Sequence, residues 1–146
     1  MHTKLILLIE DNADDELLML RALKKNHILN RVIVARDGVE ALDYLFSTGE
    51  YAGKDAESLP QLILLDLKLP KLNGLEVLKR MRAEKRTKYI PVVVLTSSTE
   101  ERDIISSYDL GANGFVQKPM DFNEFVEVAN QLGVYWLGVN RSVYPK

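Results

Sequence analysis

Five short apolar runs, each followed by a stretch with helical periodicity, constrain this chain more than any other feature of it. Residues 5–9, 32–35, 62–65, 92–95 and 115–116 read as strands, and 14–26, 38–47, 74–84, 100–109 and 121–137 as helices. The runs are continuously apolar, as strands covered on both faces are, rather than alternating with polar residues. Parallel neighbours need a crossover, usually a helix, so strands alternating with helices imply a parallel sheet between two helical layers. With five strands, the expected architecture is the flavodoxin-like doubly wound (βα)5 three-layer α/β sandwich, strand order 2-1-3-4-5. The 146 residues suffice for one core and are too few for two. One domain over 1–146 is expected, with its core at about 3–132 and an aromatic tail at 133–146.

Local signals support these boundaries. Phe122, Phe125, Val126, Ala129, Leu132, Gly133 and Trp136 recur at three- and four-residue steps, so one face of the last helix can bury. Asp121 is an N-cap candidate, with Glu124 completing a capping-box-like pair, and Asp37 and Asn73 can cap two earlier helices. Pro91 stands just before a strand, where its missing donor is tolerated. Residues 47–60 (STGEYAGKDAESLP) form a connection longer than usual, read as a surface insertion.

Composition removes several classes of chemistry. The chain has no cysteine, which excludes disulfides, thiolate zinc sites and cysteine nucleophiles, and its two histidines argue against a multi-histidine metal centre. A net charge of −2 without a basic stripe gives no reason to expect nucleic-acid binding. Apolar runs fall far short of the roughly 20 residues that span a bilayer. With no signal-peptide pattern at Met1, the expected location is the cytoplasm.

What remains is the set of groups at the strand ends. The first strand ends in Glu10 and Asp11, the third in Asp66, the fourth in Thr96 and Ser97, and the fifth in Lys118–Pro119. In the expected order the first and third strands are neighbours about 4.8 Å apart, so three carboxylates converge. Such charges raise one another's pKa unless a cation intervenes, and an all-oxygen cluster suits Mg²⁺ or Mn²⁺. The fifth strand lies about 10 Å from the third, a gap that Lys118 can bridge by leaning inward. A metal, an ammonium and a hydroxyl around one carboxylate are what phosphoryl transfer requires. Aiming Lys118 inward while the chain turns sharply leads to the expectation of a cis Lys118–Pro119 bond.

The strings LLIEDN at 7–12, LILLDLKLP at 62–70, NGLEVLKRMR at 73–82, PVVVLTSS at 91–98 and GANGFVQKP at 111–119 resemble the receiver domains of two-component response regulators. The resemblance covers about residues 3–132 and implies a phosphorelay protein. Asp66 resembles the phosphoacceptor and Lys118 the lysine that contacts the phosphoryl group. Asp11 resembles the direct metal ligand, Glu10 a ligand through water, and the Lys68 backbone carbonyl the third protein ligand. Thr96 resembles the switch hydroxyl and Phe115 the switch aromatic. The donor implied is a sensor histidine kinase, and the receiver catalyses its own phosphorylation, with weak autodephosphorylation at most, rather than acting as a turnover enzyme. The long connection before the third strand and the tail VYWLGVNRSVYPK resemble stand-alone regulators that partner bacterial, and especially cyanobacterial, phytochromes. Lys68 adds a cation beside the acceptor and is expected to pair with Glu10 when metal is absent.

Two other readings compete. A haloacid-dehalogenase-type phosphatase needs a second aspartate two residues after its nucleophile, where this chain has Lys68. A flavodoxin-like FMN carrier needs a Ser/Thr/Gly-rich loop after the first strand, where this chain has Asp11, Asn12, Ala13, Asp14 and Asp15. The tail residues Tyr135, Trp136, Leu137, Val139 and Tyr144 bring more apolar bulk than one helix stripe buries, which leaves an exposed patch, and the family resemblance implies a homodimer through the fourth helix, fifth strand and fifth helix with the tail contributing.

Overall fold

The apolar runs and helical stretches become ten main elements in a computed structural model that describes residues 5–53 and 59–143. In chain order they are β1 (Leu5–Ile9), α1 (Ala13–Lys25), β2 (Arg31–Ala35), α2 (Gly38–Phe46), β3 (Leu62–Leu65), α3 (Gly74–Ala83), β4 (Val92–Thr96), α4 (Glu101–Asp109), β5 (Gly114–Gln117) and α5 (Phe122–Leu132). All strand pairs are parallel, in the order β2-β1-β3-β4-β5. The expected topology holds.

Because successive strand side chains point to opposite faces, the three central strands feed two separate cores. Leu7, Ile9, Ile63, Leu65, Val92 and Val94 pack with Ala41, Leu45, Val77, Leu78 and Met81 of α2 and α3. Ile6, Leu8, Leu62, Leu64, Val93 and Leu95 pack with Met19, Ala22, Leu23, Phe125, Ala129 and Leu132 of α1 and α5. Every residue of β1, β3 and β4 is buried. Each large side chain so buried contributes roughly 1.5–3 kcal/mol, which is why these strands carry no polar alternation.

The helix starts follow their capping residues. Asp37, Asn73 and Asp121 each accept the backbone N–H three residues on, at 2.7, 3.0 and 2.9 Å. Glu124 reaches back to the N–H of Met120, at 3.2 Å, rather than to that of Asp121. Asn12 caps α1 in the same way, accepting from Asp15 N–H at 3.0 Å. Of the long connection, residues 54–58 lie outside the described residues. Its first part makes a 3-10 turn at Gly49–Tyr51, with Tyr51 edge-on to Tyr44.

The last helix departs from expectation. It is α-helical to Leu132 and then widens into a π-helical segment, Gly133–Val139, closed by an Asn140 N–H bond to the Tyr135 carbonyl at 2.7 Å. Gly133 meets Ile28 there, and a Cβ at that position would lie 2.4 Å from Ile28 Cδ1. Apolar spacing alone does not separate a 3.6-residue turn from a wider one. Trp136 and Leu137 pack against the α1/α5 core, whereas Tyr135 and Val139 face solvent. Tyr144 lies outside the described residues.

One glycine ties the fold to the strand ends. The chain after β3 doubles back so that Gly74 N–H bonds the Leu67 carbonyl at 2.9 Å, and a Cβ on Gly74 would lie 2.3 Å from the Asp66 carbonyl oxygen. Gly74→Ala is expected to destabilise the protein by about 1–3 kcal/mol, the range for overpacking, measured as a lower urea midpoint. An unchanged midpoint would mean that the β3–α3 turn yields freely.

Candidate functional site

Backbone pairing runs one residue past the strands and sets the strand-end side chains side by side. Glu10 N–H bonds the Ala35 carbonyl at 2.9 Å, Asp66 N–H the Ile9 carbonyl at 3.0 Å and Lys118 N–H the Thr96 carbonyl at 2.7 Å. Glu10 and Asp66 are thereby held nearly out of solvent, at 3% and 6% exposure, while Asp11 stays exposed. One carboxylate oxygen from each of Glu10, Asp11 and Asp66 lies within 4.8 Å of the others. Asp11, Asp66, Lys68, Ser97 and Lys118 line an open cleft of about 530 Å³ with the first turn of α1.

Lys118 crosses to this cluster as expected, with a side chain 9% exposed. Its ammonium lies 2.7 Å from Glu10 Oε1, 2.8 Å from Asp15 Oδ2 and 2.9 Å from Asp66 Oδ2. The remaining Asp66 oxygen accepts Lys68 N–H at 3.2 Å, and the remaining Glu10 oxygen accepts Asn12 N–H at 3.1 Å. Lys118 reaches this position through a trans peptide: no cis bond occurs among the described residues, which corrects the expectation at Lys118–Pro119. Since Lys118 N–H still pairs with β4, ordinary strand alternation suffices to aim the side chain.

One further expectation changes, and one residue gains a role. Glu10 pairs with Lys118 and not with Lys68, whose side chain is exposed, because the inward lysine takes the buried carboxylate. Asp15, noted in the sequence only as one of the acids after the first strand, is a direct partner of Lys118. Its place in the first turn of α1, directly after β1, puts it near the strand ends, but that position alone does not say which group it meets there.

Thr96 is fully buried, its hydroxyl accepting Ser98 N–H at 3.3 Å, and Ser98 in turn donates to the Asp103 carboxylate at the start of α4. Phe115 pairs across the sheet with Val94 and is half-buried against the α2/α3 core. Thr96 and Phe115 thus lie on neighbouring strands, offset by two positions in register.

Charge balance bears on what the cluster can hold. Burial pushes the Glu10 carboxyl up to about 7; the bond from Lys118 opposes this and the Asp66 charge adds to it. On Lys118, burial works against the charge, but bonds to Asp15, Glu10 and Asp66 outweigh it and lift the ammonium above its ordinary range. One cation thus serves three acids and leaves Asp11 without its help. The donors are all oxygen, and Asp11 and Asp66 open onto the cleft, a set that fits a hard divalent ion keeping several waters.

The family model for the response regulator receiver domain matches residues 6–130. The chain belongs to that family. It is 41% identical to a probable methanogenesis regulatory protein, FilR2, of Methanothrix harundinacea, over 97% of this chain and 88% of that protein. It is 40% identical to the response regulator Rcp1 of Synechocystis sp. (strain ATCC 27184 / PCC 6803 / Kazusa), over 92% of this chain and 89% of that one. The Mn²⁺-bound structure of Rcp1 superposes with a TM-score of 0.87 at 38% identity, covering 97% of this chain and 99% of the other. The phosphorylated cyanobacterial phytochrome response regulator RcpA superposes with a TM-score of 0.90 at 39% identity, over 98% and 100% of the two chains. The receiver is therefore homologous to phytochrome response regulators, and its Glu10, Asp11 and Asp66 pocket fits a phosphorylation site that works with Mg²⁺. Membership implies a histidine kinase as partner. Among the described residues, no helix is long and apolar enough to cross a membrane.

Proposed function

We propose that this receiver takes a phosphoryl group onto Asp66 from a sensor histidine kinase of the phytochrome type, in the cytoplasm, and passes the signal on through its α4–β5–α5 face. The observation that carries the reading is the position of Asp66, buried beside Glu10 and Asp11 and bonded to Lys118. Asp66 Oδ attacks phosphorus as the nitrogen–phosphorus bond of the donor phosphohistidine breaks, and the imidazole leaves with the electron pair. A divalent ion held by Asp11, Asp66 and the Lys68 backbone carbonyl, with Glu10 acting through water, would neutralise charge on the phosphoryl oxygens. Lys118 stabilises the same oxygens from the end of β5, and burial keeps water from competing for Asp66. Incubation with acetyl phosphate and Mg²⁺ tests this: the intact mass is expected to rise by one phosphoryl group, and chelation of the metal to prevent it. No gain with metal present overturns the reading.

Switching is expected to run through Thr96 and Phe115. A phosphoryl oxygen offers the Thr96 hydroxyl a stronger acceptor than its present surroundings, and drawing it inward frees space toward which Phe115 moves. Phe115 has no hydroxyl, so packing alone holds its inward state. Beryllofluoride, a phosphoryl analogue, is expected to shift the Phe115 ring signals and the amides of α4. Identical spectra with and without it rule the switch out.

Signal output is expected through a homodimer. β5 is an edge strand of the sheet, Ile105 and Tyr108 of α4 are about half exposed, and Val134, Tyr135, Val139 and Val143 face solvent. A two-fold pair packs the same patch against itself. Light scattering at micromolar concentration is expected to give a dimer mass; a monomer with and without beryllofluoride assigns this surface to another partner.

A further inference from the structure

We propose that Asp15 is a positioning residue that competes with the incoming phosphoryl group for Lys118, and so sets how strongly the site retains that group. The inference rests on the phosphoacceptor reading and deepens it. An ammonium has three N–H donors, and Lys118 has three carboxylate partners within 2.9 Å: Glu10, Asp15 and Asp66. A phosphoryl oxygen gains Lys118 only by displacing one of them.

The three are not equivalent. Glu10 and Asp66 belong to the group of acids close enough to share a divalent ion, and each accepts a backbone N–H as well. Asp15 stands outside that group. A metal that neutralises Glu10 and Asp66 therefore leaves the Asp15 charge in place, still bonded to Lys118. Its backbone is pinned, since its N–H is the one Asn12 caps. Asp15 lines the same cleft as Asp66, so its charge lies beside the space that a phosphoryl group on Asp66 would occupy. Lys118 is nearly buried, and in such a poorly hydrated place a charge-assisted bond to one anion is gained largely at the expense of another. No covalent bond or proton moves at Asp15; its effect is on where the ammonium is held.

Asp15→Asn keeps the shape and an acceptor oxygen and removes the charge. Asp14→Asn removes the same charge from the same cleft at a neighbour not bonded to Lys118. With Mg²⁺ present, Asp15→Asn is expected to bind beryllofluoride about tenfold more tightly than the wild type, and Asp14→Asn less than about twofold. Asp15→Ala is expected to act in the same direction as Asp15→Asn. In the metal-free protein, the Lys118 ammonium resonance is expected to shift and exchange faster with water in Asp15→Asn and to stay put in Asp14→Asn. Equal gains in the two asparagine variants, a loss of affinity in Asp15→Asn, or an unmoved Lys118 signal overturns the proposal while the phosphoacceptor reading stands. If beryllofluoride binds the wild type and Asp66→Asn alike, that reading falls, and this proposal with it.

Discussion

Asp66→Asn is expected to take up no phosphoryl group from acetyl phosphate and Mg²⁺ under conditions that label the wild type completely. The carboxylate is the only part of the residue that changes, and the amide that replaces it is close to isosteric, so the buried site keeps its packing. The amide is a poor nucleophile, carries no charge for a metal and cannot form the acyl phosphate. The substitution also takes one anionic partner from Lys118, leaving Glu10 and Asp15 at 2.7 and 2.8 Å to hold the ammonium in place. Circular dichroism and a thermal midpoint close to the wild type show that the loss is chemical. Labelling that persists unchanged would move the acceptor to another acid.

Asp11→Ala is expected to weaken Mg²⁺ binding by more than about tenfold, because it deletes one of the few charged oxygens offered to the ion. Asp11 is exposed, so its removal leaves the core untouched, and its carboxylate is within 4.8 Å of those of Glu10 and Asp66. The proper comparison is Asp14→Ala, expected to change affinity less than about twofold. Asp14 lines the same cleft but lies outside the close group of acids. Asp15 does not serve as that control, since it is engaged with Lys118. A calorimetric titration in which Asp11→Ala and Asp14→Ala lose affinity equally would replace coordination by a diffuse field of negative charge.

The boundaries of the fold were legible in the chain because they depend on near neighbours. A run as short as Leu62–Leu65, flanked by Pro60 and Pro70, fits a strand covered on both faces and is too short for a helix, and Asp37, Asn73 and Asp121 cap helices whose first turns they immediately precede. Once the strands alternate with helices, parallel pairing brings Glu10, Asp66 and Lys118 to one end of the sheet, so the core of the site followed from topology alone. What stayed hidden depends on partners distant in sequence. Lys118 and Asp15 are 103 positions apart, and only the angle at which α1 leaves β1 decides that the acid meets the ammonium rather than water. Arg82 spans to the carbonyls of Gly111 and Ile90 and to the Asn113 side chain, at 3.0, 2.7 and 3.0 Å, fastening α3 to the approaches of β4 and β5. In sequence it looks like any exposed helical arginine. The trans bond before Pro119 and the widening of the last helix beyond Leu132 belong to the same class, set by how packed segments meet. Apolar spacing determines which face of a segment is buried; the position of each polar group against its partner is decided only when the layers close.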